Sequence, residues 1–232
     1  MNNRRLIIAS VLMLVAAAII FMPLRAVVGF GGVSARKVDG IIWDGSIRDL
    51  RIGRLAVGDV NARLLFVPLL IGRAEIMLSR GDAPYAPGLS GKIARRWNSV
   101  SVEGLKATLP VGALFAPLPA ENIELQDFSA RFTSGRCVAA GGNARLTLGR
   151  AFPGGDLSNG LLAKPRCDRG QLLVPFVSQS AMERISFRIS ADGRYEANIF
   201  LEGDRTDAAA PLALAGFRAV SGGYRMTRKG RL

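Results

Sequence analysis

The stretch ISFRISADGRYEANIFL, residues 185–201, decides the fold class of this chain. Apolar and polar residues alternate on both sides of Asp192 and Gly193. Alternation with a period of two is typical of a β-strand that has one buried and one solvated face. Asp-Gly at the junction predicts a two-residue type I′ turn, because both central residues of that turn need positive φ. The stretch therefore predicts a β-hairpin.

The same alternation occurs earlier in the chain, over residues 60–66 and 73–78. Helical signals are few, since 27 glycines and 11 prolines interrupt the sequence. Two short helical turns are predicted, over residues 111–115 and from Met182 and Glu183, and residues 80–91, 152–165 and 204–211 are predicted to be loops. We expect one mostly β domain over residues 37–226, a curved antiparallel β-meander, followed by a frayed basic tail over residues 227–232.

A slipped form of the alternation occurs three times, over residues 50–57, 100–107 and 123–130. Each copy is an alternating pair, one extra residue and a second alternating pair. A slip of one residue turns side chains to the opposite face unless a bulge or a turn absorbs it, and Gly53 and Gly104 lie at two of the slips. The copies indicate either a structural repeat, which would give a meander of similar units, or chance matches in an apolar chain.

The N-terminus has the pattern of a membrane anchor. Arg4 and Arg5 precede residues 6–24, a run of 19 residues without a charge. At about 1.5 Å per residue, this run nearly spans a hydrocarbon core of about 30 Å. The arginines predict a cytoplasmic N-terminus over residues 1–5, a transmembrane helix over 6–28, a linker over 29–36 and a periplasmic remainder. A cleaved signal peptide, whose apolar run is usually shorter, and a buried helix of a soluble protein are the alternatives.

Cys137 and Cys167 are the only cysteines, and both lie in the part predicted to be exported. In an oxidising compartment the most economical interpretation is one structural disulfide. Two free thiols and a redox pair are the alternatives. The close Cys-x-x-Cys spacing that redox pairs usually have is absent from this sequence.

Composition limits the chemistry of the chain. The sequence has no histidine, which excludes His-dependent nucleophiles and most zinc sites. It also has no phosphate-binding loop and no nucleophile elbow, so it indicates neither an enzyme nor a cofactor. The net charge is +13, but the basic residues are spread along the strands. This spread favours a solvated face, or attraction to anionic lipid or an acidic partner, over nucleic-acid binding.

Two blocks of sequence resemble the type II secretion system protein N family. The first is GIIWDGS, residues 40–46, followed by VPLLIG, residues 67–72. The second runs from GRC at residues 135–137 to PRCDRG at residues 165–170, and it continues through LLVP and the hairpin described above. The resemblance implies an accessory, non-enzymatic, single-pass protein of the inner membrane. Such a protein works with other secretion subunits in the machine that exports folded periplasmic proteins, and no cofactor is implied.

The strand pattern also resembles the AsmA-like group, whose long curved sheets bury an apolar groove and are linked to lipid handling. That alternative implies lipid as a ligand, and a continuous, uncovered apolar groove would distinguish it. Trp43, Gly45, Asp192 and Gly193 are the candidates for fold-critical or interface positions. Trp43 is predicted to be either a core aromatic residue or an interface anchor.

Overall fold

The computed structural model describes residues 20–25, 33–53, 55–81, 88–112, 120–149, 160–203 and 209–231, and before them residues 7, 10, 13, 14 and 17. The described chain is mostly β, as predicted. The strands are β1 (Val33–Ser34), β2 (Lys37–Ile41), β3 (Asp44–Ile52), β4 (Leu55–Leu64), β5 (Ala74–Arg80), β6 (Leu89–Arg96), β7 (Ser99–Pro110), β8 (Ala120–Thr133), β9 (Arg136–Leu148), β10 (Leu161–Ala163), β11 (Arg166–Asp168), β12 (Gln171–Val177), β13 (Glu183–Ile189), β14 (Arg194–Glu202), β15 (Arg218–Val220) and β16 (Gly223–Arg231). Two short helices, α1 (Phe66–Leu69) and α2 (Ala209–Leu214), lie between strands.

All sixteen strands form one antiparallel sheet. Sequence neighbours are sheet neighbours along most of its width, which is the meander that the alternation predicts. At two places in the sheet, a pair of short strands occupies the position of one long strand. β1 and β2 lie end to end along β3, and β10 and β11 lie end to end along β12. At the C-terminal edge β16 lies between β14 and β15. Among the described residues the sheet is open, with β1 and β2 at one edge and β15 at the other.

The sheet is curved where β4 approaches β7. Their Cα atoms come within 8 Å of each other, although β5 and β6 lie between these strands in the sheet. In a flat sheet three strand spacings of about 4.8 Å would hold them farther apart. The curvature brings the inner faces of β3, β4 and β7 together, and Leu50, Val60 and Leu109 are buried in the cluster between them.

A second apolar cluster fills the C-terminal half of the sheet. Its most deeply buried members include Phe176, Ile185, Ile199 and Leu201, which lie on the inner faces of β12, β13 and β14. Helix α2 packs on this face, and its Leu212 is fully buried. Because alternate residues of each strand point inward, the period of two in the sequence corresponds to this covered face. Leu55 and Ile123 contact both clusters.

The predicted hairpin is confirmed, but its turn type is different. β13 and β14 pair from Glu183 with Leu201 to Ile189 with Tyr195. Only Gly193 in the turn has a positive φ, of 81°, and its N–H donates to the carbonyl oxygen of Ser190. The connection is therefore a longer turn that ends in a left-handed glycine, because Asp192 keeps an ordinary φ.

The extra residue in each of the three slipped segments is accommodated in one of two ways, by a turn or by a β-bulge. The first crosses the turn between β3 and β4, where Gly53 has a φ of 57°. The second and third lie within β7 and β8, at bulges next to Gly104 and Asp127, whose φ values are 59° and 51°. The slips therefore mark turns and bulges, as the face-flip argument requires. The three segments do not form three equivalent structural units.

Several sequence-based boundaries need correction. Residues 227–231, predicted to be a frayed tail, belong to β16, which pairs with β14 along its whole length. β1 lies inside the predicted linker. Met182 and Glu183 begin no helix, because Glu183 begins β13. Strand β10 and the first three residues of both β6 and α2 lie in segments predicted to be loops. Most of the predicted turn over residues 111–115 lies outside the described residues.

The alternation of strand directions divides the connections between two ends of the sheet. We call the end with the connections 42–43, 65–73, 97–98, 134–135, 169–170 and 190–193 the turn end. The opposite end, which we call the loop end, has most of the longer connections, including 81–88, 111–119, 149–160 and 203–217. Residues 20–24 run alongside β2 in the antiparallel sense, so the N-terminal segment reaches the domain at the turn end.

Candidate interaction surfaces

The N-terminal segment joins the edge of the sheet directly. The Leu24 N–H donates to the carbonyl oxygen of Gly40 at 3.1 Å, and the Ile42 N–H donates to the carbonyl oxygen of Met22 at 3.1 Å. The side chain of Leu24 is buried in the N-terminal apolar cluster. Residues 22–24 are therefore part of the folded domain, although the sequence predicts them to lie within the membrane span.

Trp43 contacts the N-terminal segment from the solvent-exposed side of this junction. It lies in the turn between β2 and β3 and is half-buried, and it belongs to neither apolar cluster. Its indole Nε1–H donates to the carbonyl oxygen of Ile20 at 3.1 Å, and its ring lies 5.8 Å from the ring of Phe66. Trp43 thus connects three chain segments at the turn end.

Gly45 lies beneath the same junction. A Cβ at this position would come within 2.6 Å of a methyl carbon of Leu24 and within 2.9 Å of the carbonyl oxygen of Asp39. Both distances are too short for non-bonded carbon and oxygen atoms, so any side chain at this position would push the N-terminal segment away. The structure thus gives a steric reason for glycine at this position.

An exposed apolar segment surrounds helix α1. Phe66, Val67, Leu70 and Ile71 are 59–74% exposed, although all four are large and apolar. The second tryptophan of the chain, Trp97, lies in the turn between β6 and β7 and is fully exposed. Both sites belong to the turn end, so both tryptophans of the sequence lie at the end that the N-terminal segment enters.

A network of ion pairs holds the apolar segment in place. Arg73 follows the segment, and its guanidinium contacts Glu75 at 3.3 Å and Glu103 at 3.0 Å. Partial burial acts to raise the pKa of Glu103, but the hydrogen bond from Ser101 and the charge of Arg73 outweigh it, and the pKa is lowered. Lys92 lies 3.6 Å from the buried carboxylate of Glu75. The base of the segment is therefore fixed to β5, β6 and β7.

The turns at this end are rich in arginine. The exposed basic residues in or next to the turns include Arg95, Arg96, Arg136, Arg169, Arg194 and Arg231. The predicted position Asp192 is exposed in the same end, where it pairs with Arg194; the hydrogen bond from Arg194 lowers the pKa of this carboxyl. Asp168 pairs with Arg188. The negative charges of Asp168 and Asp192 are thus compensated by neighbouring arginines.

The two cysteines form a disulfide between β9 and β11. Their Cα atoms lie 5.5 Å apart. β11 makes ladder hydrogen bonds to β12, whereas the backbone bond next to Cys137 runs from its N–H to the carbonyl oxygen of Gly170 at 2.8 Å. The disulfide therefore joins β9 and β11 at the turn end, where the ladder between β9 and β10 has already ended.

The far edge of the sheet is a second candidate surface. All three residues of β15, Arg218, Ala219 and Val220, are exposed, and β15 covers only the first three residues of β16. An exposed edge strand is a template for pairing with another chain. Within the described part of the chain, no group of three or more acidic or cysteine side chains is arranged to hold a metal.

Sequence reasoning found part of these surfaces. Trp43 and Gly45 were candidates, and the structure brings them together at the N-terminal junction. Gly193 and Asp192 lie in a different turn of the same end. Residues 67–72 were noticed only as a family block, and Trp97 was missed. The sequence signal that could have identified both sites is the presence of apolar residues, Trp97 and residues 66–71, in turns, where polar residues are usual.

These features define a class: an open antiparallel β protein whose surface features are suited to docking. A family model of the type II secretion system, protein N, matches residues 31–227, and the chain therefore belongs to that family. This match confirms the family resemblance, but it does not show AsmA-like repeats. The search of curated proteins and the search of solved structures returned no match.

Proposed function

We propose that this protein is an accessory, non-enzymatic subunit of the type II secretion system, which holds other subunits at the inner membrane. The observation that carries the proposal is the family match over residues 31–227. A binding role agrees with the absence of histidine from the sequence and with the exposed edges and turns described above. The partners are other subunits of the same machine.

The proposal includes a single N-terminal anchor, with the N-terminus in the cytoplasm and the β domain in the periplasm. The sequence predicts this anchor over residues 6–28, but residues 22–24 pair with the sheet edge, so the proposed span is shortened to residues 6–21. Within the described residues, no helix is long and apolar enough to cross a membrane, and the predicted anchor lies partly outside them. Support comes from the uncharged run and from the described helical residues Ile7, Met13 and Leu14. These three side chains are 62–77% exposed, so the domain does not bury them.

The mode of partner binding is proposed to be strand addition at the β15–β16 edge. A partner strand placed beside β15 gains main-chain hydrogen bonds, and the arginines of this edge favour an acidic partner. Arg218 and Arg225 lie opposite each other in the β15–β16 ladder. The inner apolar face, by contrast, is closed in the described residues by the curvature of the sheet and by α2, so no observation favours a lipid groove.

The test is the partition of type II substrates between periplasm and medium. In a strain without this gene, substrates should accumulate in the periplasm, and the wild-type gene should restore their release. Ala219→Pro at the exposed edge should fail to restore release, because the Ala219 N–H points away from β16 and proline removes this donor for strand addition. The control is Val138→Ala, at an exposed position on β9, and it should restore release fully. Normal secretion in the deletion strain would reject the proposal.

A further inference from the structure

We propose that the turn end of the sheet rests on the bilayer surface, with residues 66–71 and Trp97 in the interfacial layer and the turn arginines on anionic headgroups. The inference deepens the proposed function, because it rests on the proposed anchor. It assigns a second membrane contact to the folded domain, in addition to the anchor itself, and thereby fixes how the sheet stands on the membrane.

The N-terminal junction determines which end of the domain faces the bilayer. Residues 22–24 are paired with the sheet edge, so the membrane span must end before them. Ile20 already accepts the hydrogen bond of Trp43. A helix rises about 1.5 Å per residue, so Leu14 and Ile20 are about 9 Å apart along a helix axis. The proposed anchor places Leu14 in the hydrocarbon. The turn end, which Ile20 contacts, therefore lies within about two helical turns of the hydrocarbon, and the loop end lies farther from it.

The apolar side chains at this end have no partner among the described residues that would bury them. Phe66, Val67, Leu70 and Ile71 form an exposed cluster beside Trp43. Exposed apolar patches on a folded domain mark contact with a protein or a membrane. Tryptophan is enriched at the interface between membrane and water, because its ring is apolar and its N–H is polar. The position of both tryptophans at the anchor side favours the membrane.

The charge distribution gives an independent argument. The turn end carries a series of exposed arginines, among them Arg95 and Arg96 beside Trp97, and Arg169. The acidic residues Asp44, Asp168 and Asp192 of this end are each paired with another arginine, whereas no ion pair within the described residues involves Arg95, Arg96 or Arg169. At the loop end, by contrast, Arg184 pairs with Glu202. Anionic lipid attracts basic side chains within a Debye length of the surface. The excess of positive charge is therefore at the end that the anchor brings close to lipid.

The segment is also held rigidly enough to act as a membrane contact. The Leu65 N–H donates to the carbonyl oxygen of Glu75 at 2.8 Å, and the Arg73 N–H donates to the carbonyl oxygen of Pro68 at 3.0 Å. The Arg73 side chain then reaches Glu103 on β7. Side chains of the segment are thus presented outward from a fixed base, and little ordering is needed on insertion.

The experiment uses the full chain in proteoliposomes that contain phosphatidylglycerol and lipids brominated in their acyl chains. The sequence has two tryptophans, so the difference between wild type and Trp97→Phe reports Trp97 alone. The control is Val220→Trp in the Trp97→Phe background, which places a tryptophan at the loop end. We expect quenching of Trp97 by brominated lipid to be at least about twofold greater than that of the control tryptophan. Arg95→Gln with Arg96→Gln should reduce it.

The outcomes separate the inference from the proposed function. If the protein does not float with the liposomes and is extracted by carbonate, the anchor is wrong and the proposed function fails with it. If the protein floats but Trp97 is quenched by iodide as strongly as the control, the membrane contact is overturned and the anchor stands. Protection of Trp97 only when other secretion subunits are added would also overturn it, in favour of a protein contact. Unchanged quenching in the arginine variant would overturn the headgroup contact.

Discussion

Removal of the disulfide is the perturbation whose effect can be worked out most directly from the structure. Cys137 and Cys167 are 30 residues apart in sequence, and their bond closes a loop that contains most of β9 and all of β10. In the unfolded chain such a cross-link removes loop entropy, and a loop of about 30 residues corresponds to roughly 3–4 kcal/mol at 25 °C. We expect Cys137→Ala with Cys167→Ala to lower the free energy of unfolding by this amount.

The local structure explains why other contacts do not replace the bond. β9 pairs with β10 only at residues 144–146, far from Cys137, and β11 pairs with β12. At the turn end the remaining backbone link is the hydrogen bond from Cys137 to Gly170. A net hydrogen bond contributes about 1 kcal/mol, which is much less than the loop entropy that the disulfide removes.

The assay is urea unfolding of the full chain in a mild detergent, followed by far-ultraviolet circular dichroism. The midpoint should fall in the double variant, and wild type unfolded with a reductant should give the same midpoint. Reductant should have no effect on the double variant, which has no thiols left. A loss below about 1 kcal/mol would refute the reasoning, because it would mean that the cross-link removes little entropy from the unfolded chain.

Three further predictions concern packing, the N-terminal junction and pH. Leu212→Ala in α2 should cost about 2–5 kcal/mol in unfolding free energy, because it leaves a cavity at a fully buried position, whereas Leu214→Ala, at 91% exposure, should stay within about 0.5 kcal/mol. Gly45→Ala should displace the N-terminal segment and speed proteolytic cleavage near residue 20, whereas Gly141→Ala, which has open space around it, should leave the cleavage rate unchanged. The lowered pKa of Glu103 means that its contribution to stability is present above the ordinary value of 4.5 and is lost as the pH falls through the folded value. Glu103→Gln should therefore show a weaker loss of stability in acid titrations than wild type; an equally steep loss would show that other carboxylates account for it.

Local patterns determined the strands but not always their limits. The alternation at Ile185, Phe187 and Ile189 predicted β13 because side chains on a strand point alternately to opposite faces. The basic residues after Thr227 predicted a tail, yet they lie in β16. Pairing with β14 supplies the backbone hydrogen bonds of this strand, and a long-range partner is not visible in a local pattern.

The contrast between local sequence patterns and long-range strand pairing also explains the turn at Asp192 and Gly193. The dipeptide correctly placed a reversal, because glycine tolerates positive φ at little cost. The register of β13 against β14, with Ile189 opposite Tyr195, leaves more than two residues in the connection. Register depends on which inner faces pack together, so the turn type follows from the core and not from the two turn residues alone.

For the interaction surfaces, the sequence by itself determined which residues are unusual: an uncharged N-terminal run, two cysteines, two tryptophans and an apolar segment at residues 66–71. Only the tertiary structure decided that the tryptophans, that segment and the N-terminal junction share one end of the sheet. The physical reason is that an antiparallel meander returns distant turns to the same end every second strand, and this placement depends on strand number and register, which are properties of the whole sheet.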